Sequence, residues 1–393
     1  MRIAMIGQKG IPCTGGGVER HVEELSRHLI TAGYDVVVYT RPYYTSPRKT
    51  TFHGVSLVSL PSIRTKHLDA ISHALIATMH AMLNNYDVIH YHGVGPVLCA
   101  WLPRLFTPHI RIIGTYHSED WKQEKWGLAA KIMLRFGAWM IARVPHHALA
   151  VSREIYESLH ACGSRVSYIP TGVTPHTRKP SRTLLAPFKL GRLPYILLAS
   201  RFVRHKSVHD AIGAFKLLKS FSDRRLRKVK LVLAGGSSFT NDYFEELKKR
   251  AQGRDDILFV GYQSGTVLEA LFAHATLFLQ PSSMEGRSIA LLEALAWGTP
   301  VAAADTRESR EVLTKNNAQL GSLFTLHNLE EIASLMRAAT LTPVPFKQMA
   351  AAARQSVIAE YDWEKIIPLV DDLYMRLAAS PQQKNEIAVA AEY

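Results

Sequence analysis

At 393 residues the chain is longer than one hydrophobic core ordinarily serves, so two domains are expected. Hydrophobic residues at 47% and charged residues at 20% exclude a chain that is mainly disordered. Net charge is +14, and nearly all of that excess lies between positions 177 and 230, where 15 Lys or Arg face only Asp210 and Asp223. Such a segment suits a phosphorylated ligand, an anionic membrane face, nucleic acid or, as for the run Arg224 to Lys230, a solvated basic surface.

The chain begins MRIAMIGQKG, without the apolar core of a signal peptide, which points to the cytoplasm. Arg2 to Ile6 reads as a strand. Val18, Val22, Leu25 and Leu29 then recur at helical spacing, and that helix is expected to stop at Gly33. Further strands are predicted at Asp35 to Thr40, Val55 to Leu60, Val88 to His92, Arg111 to Tyr116, Ala148 to Ser152 and Val166 to Pro170. The longest run without Asp, Glu, Lys or Arg, Ala70 to Tyr86, is 17 residues and includes His73 and His80, too short and too polar to cross a bilayer alone. A polar passage from Thr174 to Pro194 reads as a linker, after which the pattern restarts. Strands are predicted at Tyr195 to Ala199, Val229 to Ala234, Ile257 to Val260, Thr276 to Gln280, Pro300 to Ala303 and Leu320 to Phe324. Helices fall at Val208 to Lys219, Asp242 to Ala251, Val267 to Ala273 and Ile289 to Trp297, with a last one at Trp363 to Ala378. Short apolar strands alternating with helices predict an α/β protein, two Rossmann-like domains in tandem.

Chemistry-bearing residues fall at the strand ends of this pattern. GQKGIPCTGGGVE joins the first strand to its helix through Gly15, Gly16 and Gly17, which suits either backbone approach to an anion or a tight turn with no ligand. It is not GxGxxG, and the second strand ends in Tyr39, Thr40 and Arg41 rather than an acid, so a dinucleotide reader is disfavoured. His117 follows a strand and stands at the carboxyl edge of the first sheet, as a ligand residue or a structural one. His90 and His92 alternate on one strand with no third metal ligand in evidence, and His146 and His147 read as structural. Cys13, Cys99 and Cys162 are widely spaced and form no CxxC, against both a disulfide framework and a structural zinc site. In YILLASRFVRHKSVHDAI, Arg201 and Lys206 precede a helix, where two cations and the helix dipole would favour a diphosphate. In FLQPSSMEGRSIALLEALAWGTP, Glu285 and Gly286 lie in the loop after a strand, and Glu293 lies inside an apolar helix, costly unless hydroxyls such as those of a ribose bond to it.

These residues resemble the retaining glycosyltransferases of family 4, which have the GT-B fold: E-x7-E from Glu285 to Glu293, Arg201 and Lys206 upstream, and the opening glycine loop. The resemblance covers nearly the whole chain and includes YIPTGV at 168 to 173, LVLAGGSS at 231 to 238 and YDWEKI at 361 to 366. DWKQEKWG at 120 to 127 and VGYQSG at 260 to 265 resemble the branch that includes bacterial cell-surface polysaccharide transferases, among them rhamnosyltransferases, which would make lipopolysaccharide an expected product. It implies an acceptor domain over 1–176, a nucleotide-sugar domain over 177–362, a cleft between them and a helix at 363–380 returning to the first domain. By the resemblance, Arg201 and Lys206 bind the donor diphosphate and stabilise the departing nucleotide, and Glu293 binds the ribose hydroxyls. Glu285, with Gly286, Arg287 and Ser288 beside it, binds the transferred sugar. Gly16 and Gly17 present amides to the phosphates, and His117 sits close to the sugar ring. With two cations in that role no metal or cofactor is required, and no D-x-D motif occurs in the chain. The partners implied are a nucleotide-sugar donor and a saccharide or lipid-linked acceptor, with no nucleic acid.

The chain also departs from the family pattern. Ser200 and Ser207 stand where glycines are common around the Arg and Lys, and Arg287 and Ser288 stand where an apolar residue and Gly or Pro are usual, so Arg287 is a further candidate contact to phosphate or an acidic sugar. Leu128 to Val144 is apolar with Lys131, Arg135 and Arg143 interspersed, fitting either a helix covering the first sheet or one lying on an anionic membrane. A sugar-nucleotide epimerase of similar fold, or a basic nucleic-acid-binding protein, are the competing functions; the second explains only the charge.

Overall fold

The computed structural model describes residues 1–65, 68–119, 121, 127–237 and 241–378. The motif residues 120 and 122–126, Ser238, and positions 379–380 of the expected last helix lie outside them. The chain divides into two units, the first comprising Met1–Cys13, Val18–Gly172 and the chain from Trp363, the second Thr14–Gly17 and Val173–Asp362.

In the first unit the elements run β1 (Arg2–Ile6), α1 (Gly17–Thr31), β2 (Asp35–Thr40), β3 (Thr51–Phe52), β4 (Val55–Ser59), α2 (Asp69–Met82), β5 (Val88–His92), α3 (Trp101–Phe106), β6 (Arg111–Tyr116), α4 (Leu128–Arg143), β7 (His147–Ala150), α5 (Arg153–Ala161) and β8 (Val166–Tyr168). Among the described residues its sheet has eight strands in the order β3, β4, β2, β1, β5, β6, β7, β8, parallel except for the β3–β4 pair. Helices cover both faces, which is why β1, β2 and β5 are buried almost throughout instead of alternating. The strand expected to reach Ser152 ends at Ala150, because Ser152 caps α5 and its hydroxyl accepts from the Ile155 amide. The uncharged run from Ala70 lies mostly in α2, and no helix among the described residues is long and apolar enough to cross a membrane.

The second unit runs β9 (Tyr195–Ala199), α6 (Val208–Ser220), α7 (Arg224–Arg227), β10 (Lys230–Ala234), α8 (Asn241–Ala251), β11 (Ile257–Gly261), α9 (Gly265–His274), β12 (Leu277–Gln280), α10 (Ile289–Ala296), β13 (Val301–Ala304), α11 (Arg307–Leu313), the hairpin β14 (Thr314–Lys315) and β15 (Ala318–Gln319), β16 (Ser322–Phe324), α12 (Leu329–Leu341) and α13 (Pro343–Tyr361). Its parallel sheet orders β11, β10, β9, β12, β13, β16. The passage read as a linker is partly core: a 3-10 turn at Arg182–Phe188 and the residues after it carry Leu185 and Leu190, both fully buried, into this unit.

The last helix, α14 (Trp363–Ala378), returns to the first unit. Trp363, Ile366, Val370, Leu373 and Tyr374 recur at helical spacing and pack with Ile3, Met5, Val36 and Val38 of β1 and β2. A Cβ on Gly172 would lie 2.4 Å from the Trp363 ring, so the glycine of YIPTGV and the tryptophan of YDWEKI need one another.

Candidate active site

Open parallel sheets bind ligands at the carboxyl ends of strands where the strand order reverses. In the second unit that point is β9, flanked by β10 on one side and β12 on the other. Arg201 and Lys206 leave the end of β9, while Glu285 and Glu293 follow β12, so neighbouring strands deliver side chains that are some 80 residues apart in sequence.

The two loops are tied by their backbones and then by charge. The Ser283 amide donates to the His205 carbonyl at 2.8 Å. Lys206 Nζ then donates to Glu285 Oε1 at 2.5 Å, with only 14% and 12% of the two side chains exposed. Lys206 ends the 3-10 turn Arg204–Lys206, and Ser207 adopts a left-handed conformation, φ 46° and ψ 40°, before α6 begins. The family's usual glycine at that position meets the same backbone requirement, and here serine bears its steric cost. Arg201 is half-buried in a segment held to the next strand end: Ser200 N donates to Ala234 O at 3.0 Å and Phe202 N to Gly236 O at 2.8 Å.

Of the remaining residues on this side, Gly286 is buried, and Ser288 caps α10 by accepting from the Leu291 amide at 3.3 Å while donating to Gln280 at 2.5 Å. Glu293 is half-buried on α10. Arg287 points into the unit: its side chain is 1% exposed, pairs with Glu311 of α11 and lies 5.4 Å from the Tyr361 ring centre. Buried inside the unit, the Arg287 guanidinium presents almost no surface to a ligand. Gly16 has φ 114° and Gly17 opens α1; the loop Thr14–Gly17 groups with the second unit, where a Cβ on Gly15 would meet the Tyr262 ring at 2.9 Å.

The first unit assembles a second cluster, also at a reversal of strand order, β1 between β2 and β5. His117 Nε2 after β6 lies 3.2 Å from His92 Nδ1 at the end of β5, one ring donating to the other. His21 of α1 packs edge-on to His117 at 4.8 Å and bonds Thr171 Oγ1 through Nδ1 at 3.0 Å. His90, one turn of the pleat earlier, is spanned by Tyr374 at 2.7 Å and Thr115 at 2.6 Å. Burial holds all four imidazoles neutral, pushing His21 down to about 4 and His90 to about 3, and His92 and His117 well below the usual range with neighbouring histidines adding to the effect. Sequence spacing offered His92 no third metal ligand; the structure supplies two, since ring nitrogens of His21, His92 and His117 lie within 4.8 Å of one another. His209, Asp210 and His327 form another such group in the second unit. His21 escaped the sequence reading because it sits beside the Val18, Val22, Leu25 stripe, where a buried polar residue looks like the edge of a helix face.

Two Rossmann-like units in tandem, the second with a cation and a carboxylate at its topological switch point and the last helix returned to the first, define the GT-B fold. Two family models match, Glycosyltransferase Family 4 over residues 15–177 and Glycosyl transferases group 1 over residues 186–356, and the chain belongs to glycosyltransferase family 4. Glycogen synthase of Mycobacterium tuberculosis is 25% identical over 98% of this chain and 96% of its own. The GDP-mannose-dependent alpha-(1-6)-phosphatidylinositol monomannoside mannosyltransferase of the same organism is 24% identical over 75% and 77%. Among solved structures, sucrose-phosphate synthase from Thermosynechococcus elongatus superposes with a TM-score of 0.79 at 21% identity, covering 96% of this chain and 98% of that one. HepE of Anabaena, in complex with UDP and glucose, does so at 0.76 and 18%, covering 95% and 99%.

Proposed function

We propose that this glycosyltransferase moves a sugar, with retention and without a metal, from a nucleoside-diphosphate sugar to a saccharide or lipid-linked acceptor in bacterial cell-surface polysaccharide synthesis, working on the cytoplasmic side and peripherally on an anionic membrane. The observation that carries the chemistry is the Lys206–Glu285 pair at the switch point of the second sheet. Breaking the bond from the anomeric carbon to phosphate leaves a diphosphate with extra negative charge and a ring with oxocarbenium character. Lys206 and Arg201 stabilise the first. Glu285 holds hydroxyls of the transferred sugar and keeps the ammonium aimed, Glu293 takes the ribose, the Gly16 and Gly17 amides face the phosphates, and His117 lies by the sugar. The acceptor attacks on the face the nucleotide leaves, its proton passing to a phosphate oxygen. That HepE was solved with UDP and glucose, and that a relative is named for GDP-mannose, supports a nucleotide-sugar donor.

A thermal-shift screen across UDP, GDP, dTDP and ADP sugars tests this, because a donor at a hundred times its Kd adds about 2.7 kcal/mol of apparent stability. Lys206→Ala is expected to lower kcat about 10²- to 10³-fold, with wild-type activity unchanged in EDTA. No stabilisation by any nucleotide sugar would overturn the reading. A changed sugar nucleotide formed from donor alone would assign an epimerase instead.

A further inference from the structure

We propose that the first unit docks on an anionic lipid bilayer through one continuous face built from α2, α3 and α4. This deepens the membrane association proposed above and does not depend on the chemistry of sugar transfer. α4 buries Leu134, Gly137, Met140 and Ile141, and on its other side exposes Leu128, Ile132, Phe136 and Trp139, at spacings of four, four and three. Phe136 is 53% and Trp139 56% exposed, with their rings stacked 5.6 Å apart. α2 turns Ala74, Ala77 and Ala81 inward and leaves Leu75, Ile76 and Met79 outside, with Leu83 just past its end 87% exposed. α3 exposes Trp101, Leu105 and Phe106. α2 packs on α3 and on the 3-10 turn Pro96–Cys99, and α4 packs on that same turn, so the exposed side chains belong to one side of one sheet.

A helix on a water-facing surface ordinarily turns polar residues outward, and isolated exposed apolar residues need no explanation; three adjacent helices with apolar outer stripes do. Charge selects the occupant. α3 and α4 carry no Asp or Glu, and the one acid of α2, Asp69, is buried against Arg41 at 2.6 Å. The outward charges are cations: Arg104, Arg135 and Arg143 are exposed. A second copy of this face would bring those cations against one another. A bilayer with anionic headgroups instead offers acyl chains to the stripes and phosphates to the guanidiniums, which reach the headgroups past their apolar neighbours. Trp101 and Trp139 supply the amphipathic indoles suited to that depth.

Co-sedimentation of the full chain with phosphatidylcholine vesicles, with and without phosphatidylglycerol, tests the proposal. The protein is expected to bind the anionic vesicles, less so as salt rises, and brominated acyl chains are expected to quench its tryptophan fluorescence. Paired serine substitutions of exposed residues, Ile76→Ser with Met79→Ser, Leu105→Ser with Phe106→Ser, and Phe136→Ser with Trp139→Ser, should each weaken vesicle binding at least about tenfold while leaving the unfolding midpoint in place. Absence of binding to anionic vesicles overturns the proposal. So does wild-type binding by the α2 and α3 pairs, which would confine contact to α4, and so does a dimer in sedimentation velocity that these substitutions dissolve. Transfer to a soluble acceptor should survive all three pairs; failure of wild-type transfer with vesicle binding intact would overturn the catalytic reading alone.

Discussion

Replacing Gly235 by alanine tests whether the cation loop is held by its neighbour's backbone. Gly235 follows β10 at φ 142°, and a Cβ built there falls 1.8 Å from the Ser200 carbonyl oxygen and 2.9 Å from its carbon. Nothing flexible can give way, because both contacts are main chain. The Ser200–Phe202 segment would have to retreat by roughly 1 Å or more, breaking the Ser200–Ala234 and Phe202–Gly236 bonds and carrying Arg201 with it. The left-handed backbone adds about 1–2 kcal/mol for any residue with a Cβ. Loss of the two backbone bonds adds about 1 kcal/mol each, so a total of about 3–4 kcal/mol is expected, or a fall in Tm of about 6–16 °C for a unit of this size. Misplacing a charged group by about 1 Å costs on the order of 100-fold in rate. Calorimetric or fluorescence melting and initial-rate transfer assays read the two effects separately. A Gly235→Ala protein with wild-type Tm and wild-type kcat would refute the claim that this close approach positions Arg201.

Two further outcomes follow from buried charge. Arg287→Ala removes the cation paired with Glu311 inside the second unit, and is expected to cost about 3–5 kcal/mol in urea unfolding; an unchanged midpoint would place that guanidinium in solvent. For the histidine cluster, burial lowers the folded-state pKa below the ordinary 6.5, so below that pH the unfolded chain binds more protons than the folded one. Stability is therefore highest above pH 6.5 and declines as pH falls from 6.5 towards 4 for His21 and towards 3 for His90. His21 alone contributes on the order of 3 kcal/mol to that decline. Unfolding free energies at pH 7 and pH 4 measure it, and a flat profile, or a His21→Gln profile as steep as wild type, would count against it.

Much of the architecture was legible in the chain itself because its causes are local. Tyr195–Ala199 and Val208–Ser220 announce themselves as strand and helix by β-branched or apolar runs and by helical spacing, and Arg201, Lys206, Glu285 and Glu293 are exposed to view by standing at strand ends or inside an apolar helix. α12 and α13 were not predicted: α13 buries Ala350, Ala353, Val357 and Tyr361 on one face, but alanines on its open side leave little contrast between faces, while α12 carries a stripe at Ile332, Met336 and Ala339 that helical spacing could have found. What only the tertiary structure decided is which of these residues meet. Sheet order is set by crossovers, so β9 lies beside β12 and not beside β11, and Lys206 finds Glu285 across a gap in sequence that no local pattern records. The same non-local pairing brings His21 from a helix to His92 at the end of β5 and His117 just past β6, and sends Arg287 inward to Glu311 though its loop neighbours suggested a ligand. Local periodicity encodes which face of an element is apolar; the partner that covers that face, or leaves it bare as on α2, α3 and α4, is chosen by packing of the whole sheet.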